Sequence, residues 1–228
     1  MAEIPGAREE LERAAHWIRD RMREVAAEPA PGQELGLSLP SYPSIVDWHE
    51  PLSYQYTFHA RPELPGGRYD PTVPARAAAW FAARGGWTVT QEQGEKEAPR
   101  PYIGTVRFHA VVGTKDGCEL AVRTARGNGW ITLWGTSPRI ALYPPYVIVR
   151  PEPVVTPETL DPGYLLCYEC DGLGHCPGCY GLGWVPDEER GRKRCPCCQF
   201  TPVCVICKGR GQLLPSLLSP YQRGYYRE

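Results

Sequence analysis

Four closely spaced cysteine pairs constrain this chain more than any other feature. Nine of the ten cysteines lie between positions 167 and 207. Eight of them form C-x-x-C pairs, namely Cys167/Cys170, Cys176/Cys179, Cys195/Cys198 and Cys204/Cys207. Two residues between thiols is the spacing at which a tight turn directs both sulfurs towards one ion, and two such turns complete a tetrahedral four-cysteine zinc site. We therefore predict two structural zinc ions.

The spacers between the pairs indicate which pairs share an ion. Five residues separate pairs one and two, five separate pairs three and four, and fifteen separate pairs two and three. A long hairpin with matched short segments on each arm favours a nested order. Pairs one and four then hold one zinc ion, with Cys167, Cys170, Cys204 and Cys207. Pairs two and three hold the other, with Cys176, Cys179, Cys195 and Cys198. The alternative order joins pair one to two and three to four.

Glycines follow three of the four pairs in the pattern C-x-x-C-x-G-x-G. The chain must turn back beneath the metal there, and such turns need a positive φ, which glycine adopts without steric cost. The six glycines concerned are Gly172, Gly174, Gly181, Gly183, Gly209 and Gly211. We expect the amides of these turns to donate hydrogen bonds to the thiolates and to spread their charge.

The repeats CYECDGLG, CPGCYGLG and CVICKGRG resemble the cysteine-rich zinc domain of the DnaJ (Hsp40) chaperone family. The resemblance covers residues 164–214, and the third repeat, CPCCQFTP, departs from it by lacking glycines and adding Cys197. It implies that repeats one and four share a zinc ion, that two and three share the other, and that the module binds polypeptide. The His-Pro-Asp motif of a J domain does not occur in the sequence, so we expect no Hsp70 activation.

The rest of the sequence contains no catalytic signature. It has no phosphate-binding loop, no G-x-S-x-G, no H-E-x-x-H and no dinucleotide fingerprint. Eight cysteines close both zinc sites, which leaves no exchangeable position for a substrate. The amino terminus lacks an apolar signal region, and no apolar run approaches the ~20 residues that span a bilayer. We expect a cytoplasmic protein that is not an enzyme.

Two kinds of partner are compatible with the cysteine-rich region. Apolar residues beside the turns predict a surface for a protein or peptide client, and they are Leu173, Tyr180, Leu182, Trp184, Phe200, Leu213 and Leu214. The alternative is a nucleic acid, because Arg190, Arg192, Lys193 and Arg194 form a basic cluster. The net charge of −1 does not favour that alternative. Thiol–disulfide chemistry is a further alternative, although metal-bound thiolates react slowly.

The first 143 residues predict an α+β domain with an amino-terminal helix and an antiparallel β-meander. Apolar residues spaced by three and four predict a helix over 7–27, which packs on its own domain or, alternatively, forms a dimer. A second helix is expected over 74–84, ended by Gly85-Gly86. Strands are expected at 53–60, 87–91, 103–112, 118–123, 130–134 and 140–143, with a charged loop over 92–100 and a hairpin turn at Asn128-Gly129.

These parts assemble into a two-domain prediction. A Pro-rich linker of residues 144–163 joins the α+β domain of residues 1–143 to a small elongated zinc ribbon over 164–214, and residues 215–228 form a tail. Two cysteines fall outside the ligand sets. Cys118 lies alone in a predicted strand, where we expect it to be a small buried side chain. Cys197 is a spare thiol within the zinc module.

Overall fold

The computed structural model describes residues 2–97, 105–126, 131–198 and 201–226. The chain divides into two compact units: unit 1 comprises Met1–Asp47 and Pro51–Pro144, and unit 2 comprises Trp48–Glu50 and Pro145–Glu228. Unit 1 combines helices with antiparallel sheets, and unit 2 contains the cysteine-rich region. The predicted α+β class is confirmed. Within the described ranges, no helix is both long enough and apolar enough to cross a bilayer.

The described residues of unit 1 form two α-helices and eight strands. The helices are α1 Ala7–Ala27 and α2 Val73–Ala83. The strands are β1 Ser44–Asp47, β2 Ser53–Gln55, β3 Thr57–Ala60, β4 Thr88–Glu97, β5 Thr105–Lys115, β6 Cys118–Ala125, β7 Ile131–Thr136 and β8 Ile140–Ala141. Five strands form an antiparallel sheet in the order β3-β7-β6-β5-β4, and three form a small sheet in the order β1-β2-β8.

Helix α1 has the bounds that its apolar spacing predicts. Its buried residues include Leu11, Ile18 and Met22. Met22 lies against Gly135 of β7, where a side chain on the glycine would collide with the Met22 sulfur. The helix therefore packs its apolar face on the sheet of its own chain, which is the first of the two arrangements considered for it.

Helix α2 covers the neighbouring part of the same sheet face. Its Pro74 lies in the first turn, where a missing N–H costs nothing, and Gly85 and Gly86 follow it with φ of 58° and 71°. The ring of Phe81 fills the space above Gly113 of β5. The core of unit 1 therefore lies between two helices and one face of the five-stranded sheet.

Three strand predictions differ from the structure. Residues 53–60 form two strands in different sheets, because the chain changes sheet at buried Tyr56, whose N–H donates to Ser137 Oγ at 2.9 Å. Residues 92–97, expected as a charged loop, continue β4 and pair with β5. Strand β8 pairs with β2 instead of extending the meander. The Asn128-Gly129 turn lies outside the described residues.

Unit 2 is built from short elements. They are β9 Leu165–Leu166, β10 Trp184–Asp187, β11 Gly191–Arg194, β12 Gln212–Leu213 and α3 Pro220–Arg223. The tail lies on the first cysteine turn. Tyr225 stacks on Tyr168 at 4.4 Å between ring centroids, and the Tyr226 hydroxyl donates to the Leu166 carbonyl at 2.6 Å. Residues up to 226 are thus part of the folded unit.

Candidate metal centres

The structure gathers the eight paired cysteines into two groups of four, in the nested order. The outer site contains Cys167, Cys170, Cys204 and Cys207. The inner site contains Cys176, Cys179, Cys195 and Cys198. All eight residues are buried, and within each group the sulfur atoms lie within 4.8 Å of one another. Pairs that are separated by 37 or 19 positions in sequence are therefore brought to single points.

The sulfur–sulfur distances test whether the two groups of cysteines have the size of a zinc site. Four thiolates at the usual Zn–S distance of about 2.3 Å form a tetrahedron with edges of about 3.8 Å. The measured Sγ···Sγ separations are 3.8 Å and 3.7 Å in the outer site and 3.9 Å and 3.6 Å in the inner site. A disulfide would require about 2.05 Å. The donor set and its size fit zinc, and the chain has two structural zinc sites.

A short strand pair closes the outer site. Strand β9 precedes Cys167, strand β12 follows Cys207, and the two strands pair antiparallel with Leu166 opposite Gln212. The Cys167 N–H also donates to the Gly211 carbonyl at 2.9 Å. The strand pair thus aligns the first and fourth turns.

The β10–β11 hairpin closes the inner site in the same way. Strand β10 follows the second turn and β11 leads into Cys195, so the hairpin returns the chain to the metal. The Cys195 N–H donates to the Gly183 carbonyl at 3.0 Å, which repeats the bond between Cys167 and Gly211 in the outer site. Both sites are therefore versions of one arrangement.

The turn glycines have the predicted conformation. All six have positive φ, between 72° and 86°. The amide of Gly183 donates to Cys179 Sγ and that of Gly211 to Cys207 Sγ, each at 3.2 Å. These hydrogen bonds stabilise negative charge on the sulfurs, which is the expected role of the turns.

Burial and amide donors act in opposite directions on the thiols. Burial raises the pKa of Cys167 to about 11 and that of Cys176 to about 12. At Cys195 burial is outweighed by the amides of Cys198 and Cys197, and its pKa is lowered to about 7. Buried thiols of this kind keep their protons until a cation binds, and they then lose them to solvent because the bound metal stabilises the thiolates. The electrostatics therefore suit a metal centre.

The remaining cysteines and the nearby histidine lie outside both groups. Cys197 is exposed, with its sulfur beside Gly178, where an added Cβ would lie 2.8 Å away. His175 forms a β-bridge with Val203 and is not a ligand of either group. Cys118 is buried in the core of unit 1, as expected.

Of the apolar surface predicted from the sequence, Leu173 is buried and Tyr180 is exposed, whereas Leu182, Trp184, Leu213 and Leu214 are half-buried. Leu173 is buried in the outer site, Leu213 packs against the same cluster, and Leu182 packs against the inner one. The Trp184 ring lies under the Arg192 guanidinium, 3.9 Å from it. Phe200 lies outside the described residues.

A segment distant in sequence, which no sequence pattern indicated, packs on the β10–β11 hairpin of the inner site. Residues 48–50 belong to unit 2, and Glu50 forms an ion pair with Arg192. His49 Nε2 lies 3.0 Å from the Glu188 carbonyl oxygen. Gly191 has φ of 73°, and a Cβ there would collide with the Trp48 backbone. No local sequence pattern indicates contacts between residues about 140 positions apart. Gly191, which follows the turn of the hairpin, was the one available signal of this packing.

The geometry defines a C-x-x-C zinc-finger module with two closed four-cysteine sites. No protein-family model matches the chain, and no curated protein or solved structure matches it either.

Proposed function

We propose that this chain is a non-enzymatic zinc protein whose module over residues 164–214 is of the DnaJ type and binds polypeptide. The closed sites support the absence of catalysis, because four thiolates leave no open position on zinc for water or a substrate. The two ions instead hold a thin module in shape, so its surface is available for a partner. The DnaJ-like repeats on the sequence support the type of module.

The observation that carries the proposal is an exposed valine strip on unit 2, formed by Val154, Val203 and Val205. Their side chains are 52%, 38% and 58% exposed. Val203 and Val205 flank the ligand Cys204. This strip adds to Tyr180, the exposed member of the surface that the sequence indicated.

Two glycine turns connect Val154 and Val203 into one surface, and Val205 follows Val203 on the other side of Cys204. A Cβ on Gly174 would lie 2.8 Å from Val154 and 2.6 Å from the Gly209 carbonyl oxygen. A Cβ on Gly209 would lie 3.6 Å from Val203. Val154 and Val203 therefore lie on two neighbouring glycine turns, and the Gly174 carbonyl accepts a hydrogen bond from the Cys204 N–H at 2.9 Å. Exposed apolar surface of this kind is suited to a polypeptide with apolar side chains.

The basic cluster favours nucleic acid less than its sequence suggests. Arg192 pairs with Glu50 and lies over Trp184, and Lys193 Nζ lies 3.0 Å from Asp187 Oδ2. Positive charges that are neutralised by neighbours contribute little to phosphate binding. Polypeptide binding is therefore the function that the surface of unit 2 supports best.

The test is Val205→Asp in the zinc-loaded full chain. Binding of a fluorescent, permanently unfolded model polypeptide is measured by anisotropy, and we expect roughly a tenfold loss of affinity, the effect of about 1.4 kcal/mol. Leu217→Asp is the matched control, since Leu217 is 79% exposed outside the strip and should change nothing. Zinc content reports that both variants are folded.

Three results would contradict the proposal. They are no binding by the wild type, equal losses in the two variants, or tight binding of single-stranded nucleic acid that falls steeply with salt. The last result, together with a loss in Arg190→Ala, would favour the alternative partner.

A further inference from the structure

A strand-forming sequence between prolines has no strand partner. Tyr146-Val147-Ile148-Val149 consists of the β-branched and aromatic residues that favour strands. Yet residues 144–153 contain no helix, strand, turn or bend. Val147 and Val149 are each 73% exposed. A sequence with this preference and this exposure points to a pairing partner outside the chain.

The open edge of the segment can be identified from one hydrogen bond. The Tyr146 N–H donates to Glu50 Oε2 at 2.9 Å, so this edge of the segment is directed towards Glu50. In an extended chain, the N–H and C=O groups of alternate residues point to opposite edges. The backbone groups of Val147 and Val149 therefore point away from Glu50. Among the described residues, neither valine forms a backbone hydrogen bond.

The sequence of the segment is symmetrical about Ile148. Reading outwards in both directions from Ile148, valine occurs at 147 and 149, and proline at 145 and 151. Tyr146 and Arg150 occupy the positions between them, and an aromatic ring and a guanidinium attract each other. A two-fold interface requires one surface to be complementary to itself. An antiparallel pair centred on Ile148 meets that requirement at every position.

We propose that Pro145–Pro151 is a dimerisation strand that pairs antiparallel with the same segment of a second copy of this chain, about a two-fold axis at Ile148. The proposal is independent of polypeptide binding by the valine strip.

The available donors specify the register. With Val147 opposite the Val149 of the second copy as a hydrogen-bonded pair, the two-fold axis generates four N–H···O=C bonds from the open edges. The Tyr146 amide, already bonded to Glu50, is not needed. The next hydrogen-bonded pair would be Pro145 opposite Pro151, which has no N–H to donate. The ladder therefore ends at the prolines, and the two strands do not extend into a larger sheet.

The expected dimer is weak. A strand pair of this length covers much less than the roughly 1,600 Å² of a standard interface. Association should depend on concentration, with a dissociation constant in the micromolar range or above. The four valines, two from each copy, form the cross-strand contacts on the exposed face.

The experiment uses a charge swap in the zinc-loaded full chain. Sedimentation equilibrium of the 25.5 kDa wild type should show a mass that rises towards twice that value with concentration. The variant with Val147→Lys and Val149→Lys places lysines opposite lysines and should stay monomeric. The variant with Val147→Lys and Val149→Glu places each lysine opposite a glutamate and should dimerise at least about tenfold more strongly than the double-lysine variant.

Several outcomes would overturn the proposal. A wild type that is monomeric at all concentrations excludes the strand pair. Dimers that persist in the double-lysine variant place the interface elsewhere. Equal behaviour of the two double variants excludes this register, because only the antiparallel pair centred on Ile148 puts position 147 opposite 149. Val205→Asp should leave dimerisation unchanged, so failure here is distinguishable from failure of polypeptide binding.

Discussion

The two units are stabilised in different ways. In unit 1, residues from both helices and the five-stranded sheet form one continuous apolar core that includes Phe81 and Leu120. In unit 2, the buried clusters consist of the ligand cysteines, with Leu173 as the one other buried member among the described residues. The hydrophobic effect can stabilise unit 1 unaided, whereas the small clusters of unit 2 require the metal. In unit 2, cysteine spacing therefore replaces hydrophobic periodicity as the folding signal.

Removal of the metal should produce the largest difference in behaviour between the two units. A chelator under reducing conditions should unfold unit 2, because structural zinc contributes on the order of 10–16 kcal/mol to such modules. Hydrogen exchange measured by mass spectrometry should show loss of protection over 164–214 and retention in α1 and β5–β7. Added zinc should restore the lost protection. Loss of protection in both units would show that the two units are not stabilised in different ways.

Substitution of one ligand tests the closed sites. Cys170→Ser should lower the zinc content from two ions per chain to one or fewer, because the outer site loses a thiolate and its remaining buried thiols lose their partner. Cys197→Ser is the matched control, since Cys197 is exposed and belongs to neither site. Elemental analysis of the purified chains measures both. A drop in zinc in the control would make Cys197 a ligand.

A core substitution tests whether the apolar core stabilises unit 1. Leu120→Ala should lower the free energy of unfolding of unit 1 by about 2–5 kcal/mol, because it leaves a cavity at a fully buried position. Zinc content should stay at two ions. Leu217→Ala, at an exposed position, should change the free energy by less than about 0.5 kcal/mol in urea denaturation. Reduced zinc binding by Leu120→Ala would mean that the core of unit 1 also supports the metal sites.

The predictions from sequence were correct where a simple spacing or conformational rule determines the structure. The bounds of α1 follow from apolar spacing of three and four, and the six turn glycines follow from a need for positive φ. The nested grouping of cysteines followed from equal spacers, since each ion imposes the same geometry on its two turns. For the helix and the glycines, neighbours in sequence contain the whole signal, whereas the nested order joins cysteines that are 37 and 19 positions apart.

Prediction failed where a distant residue decides the structure. Residues 92–97 have the composition of a loop but continue a strand, because β5 offers partners such as Arg107, whose Nε lies 2.6 Å from Glu95 Oε1. The change of sheet at Tyr56 depends on Ser137, 81 positions away. Leu173 was assigned to the surface because its pattern does not show that it packs against the cysteines of the outer site.

A smaller effect is expected at a glycine that contacts the backbone. In Gly172→Ala the new methyl group would collide with the Val155 carbonyl oxygen, at a φ of 81°. Gly163→Ala is the control, because Gly163 has a φ of 84° but nothing within 4 Å of an added Cβ. Both variants bear the strain of positive φ, about 1 kcal/mol, and Gly172→Ala bears the collision in addition. Zinc release by a competing chelator should therefore be easier in Gly172→Ala than in the control, and equal release would mean that Val155 yields freely.

The remaining effect is a pH dependence confined to unit 1, which is absent at neutral pH. Burial, and after it the charge of Asp116, raises the pKa of Cys118 to about 11, whereas an unfolded thiol titrates near about 8.5. Between these values the unfolded chain has lost the proton and the folded chain retains it, so the free energy of unfolding falls as the pH rises. Below about pH 8.5 both states are protonated and the stabilisation is complete. Cys118→Ala removes this dependence, and the difference between wild type and variant cancels the tyrosines and lysines that titrate in the same range. Urea denaturation of both proteins at pH 7 and pH 10 measures it, and an unchanged difference at the two pH values would show that Cys118 is not shielded by the core.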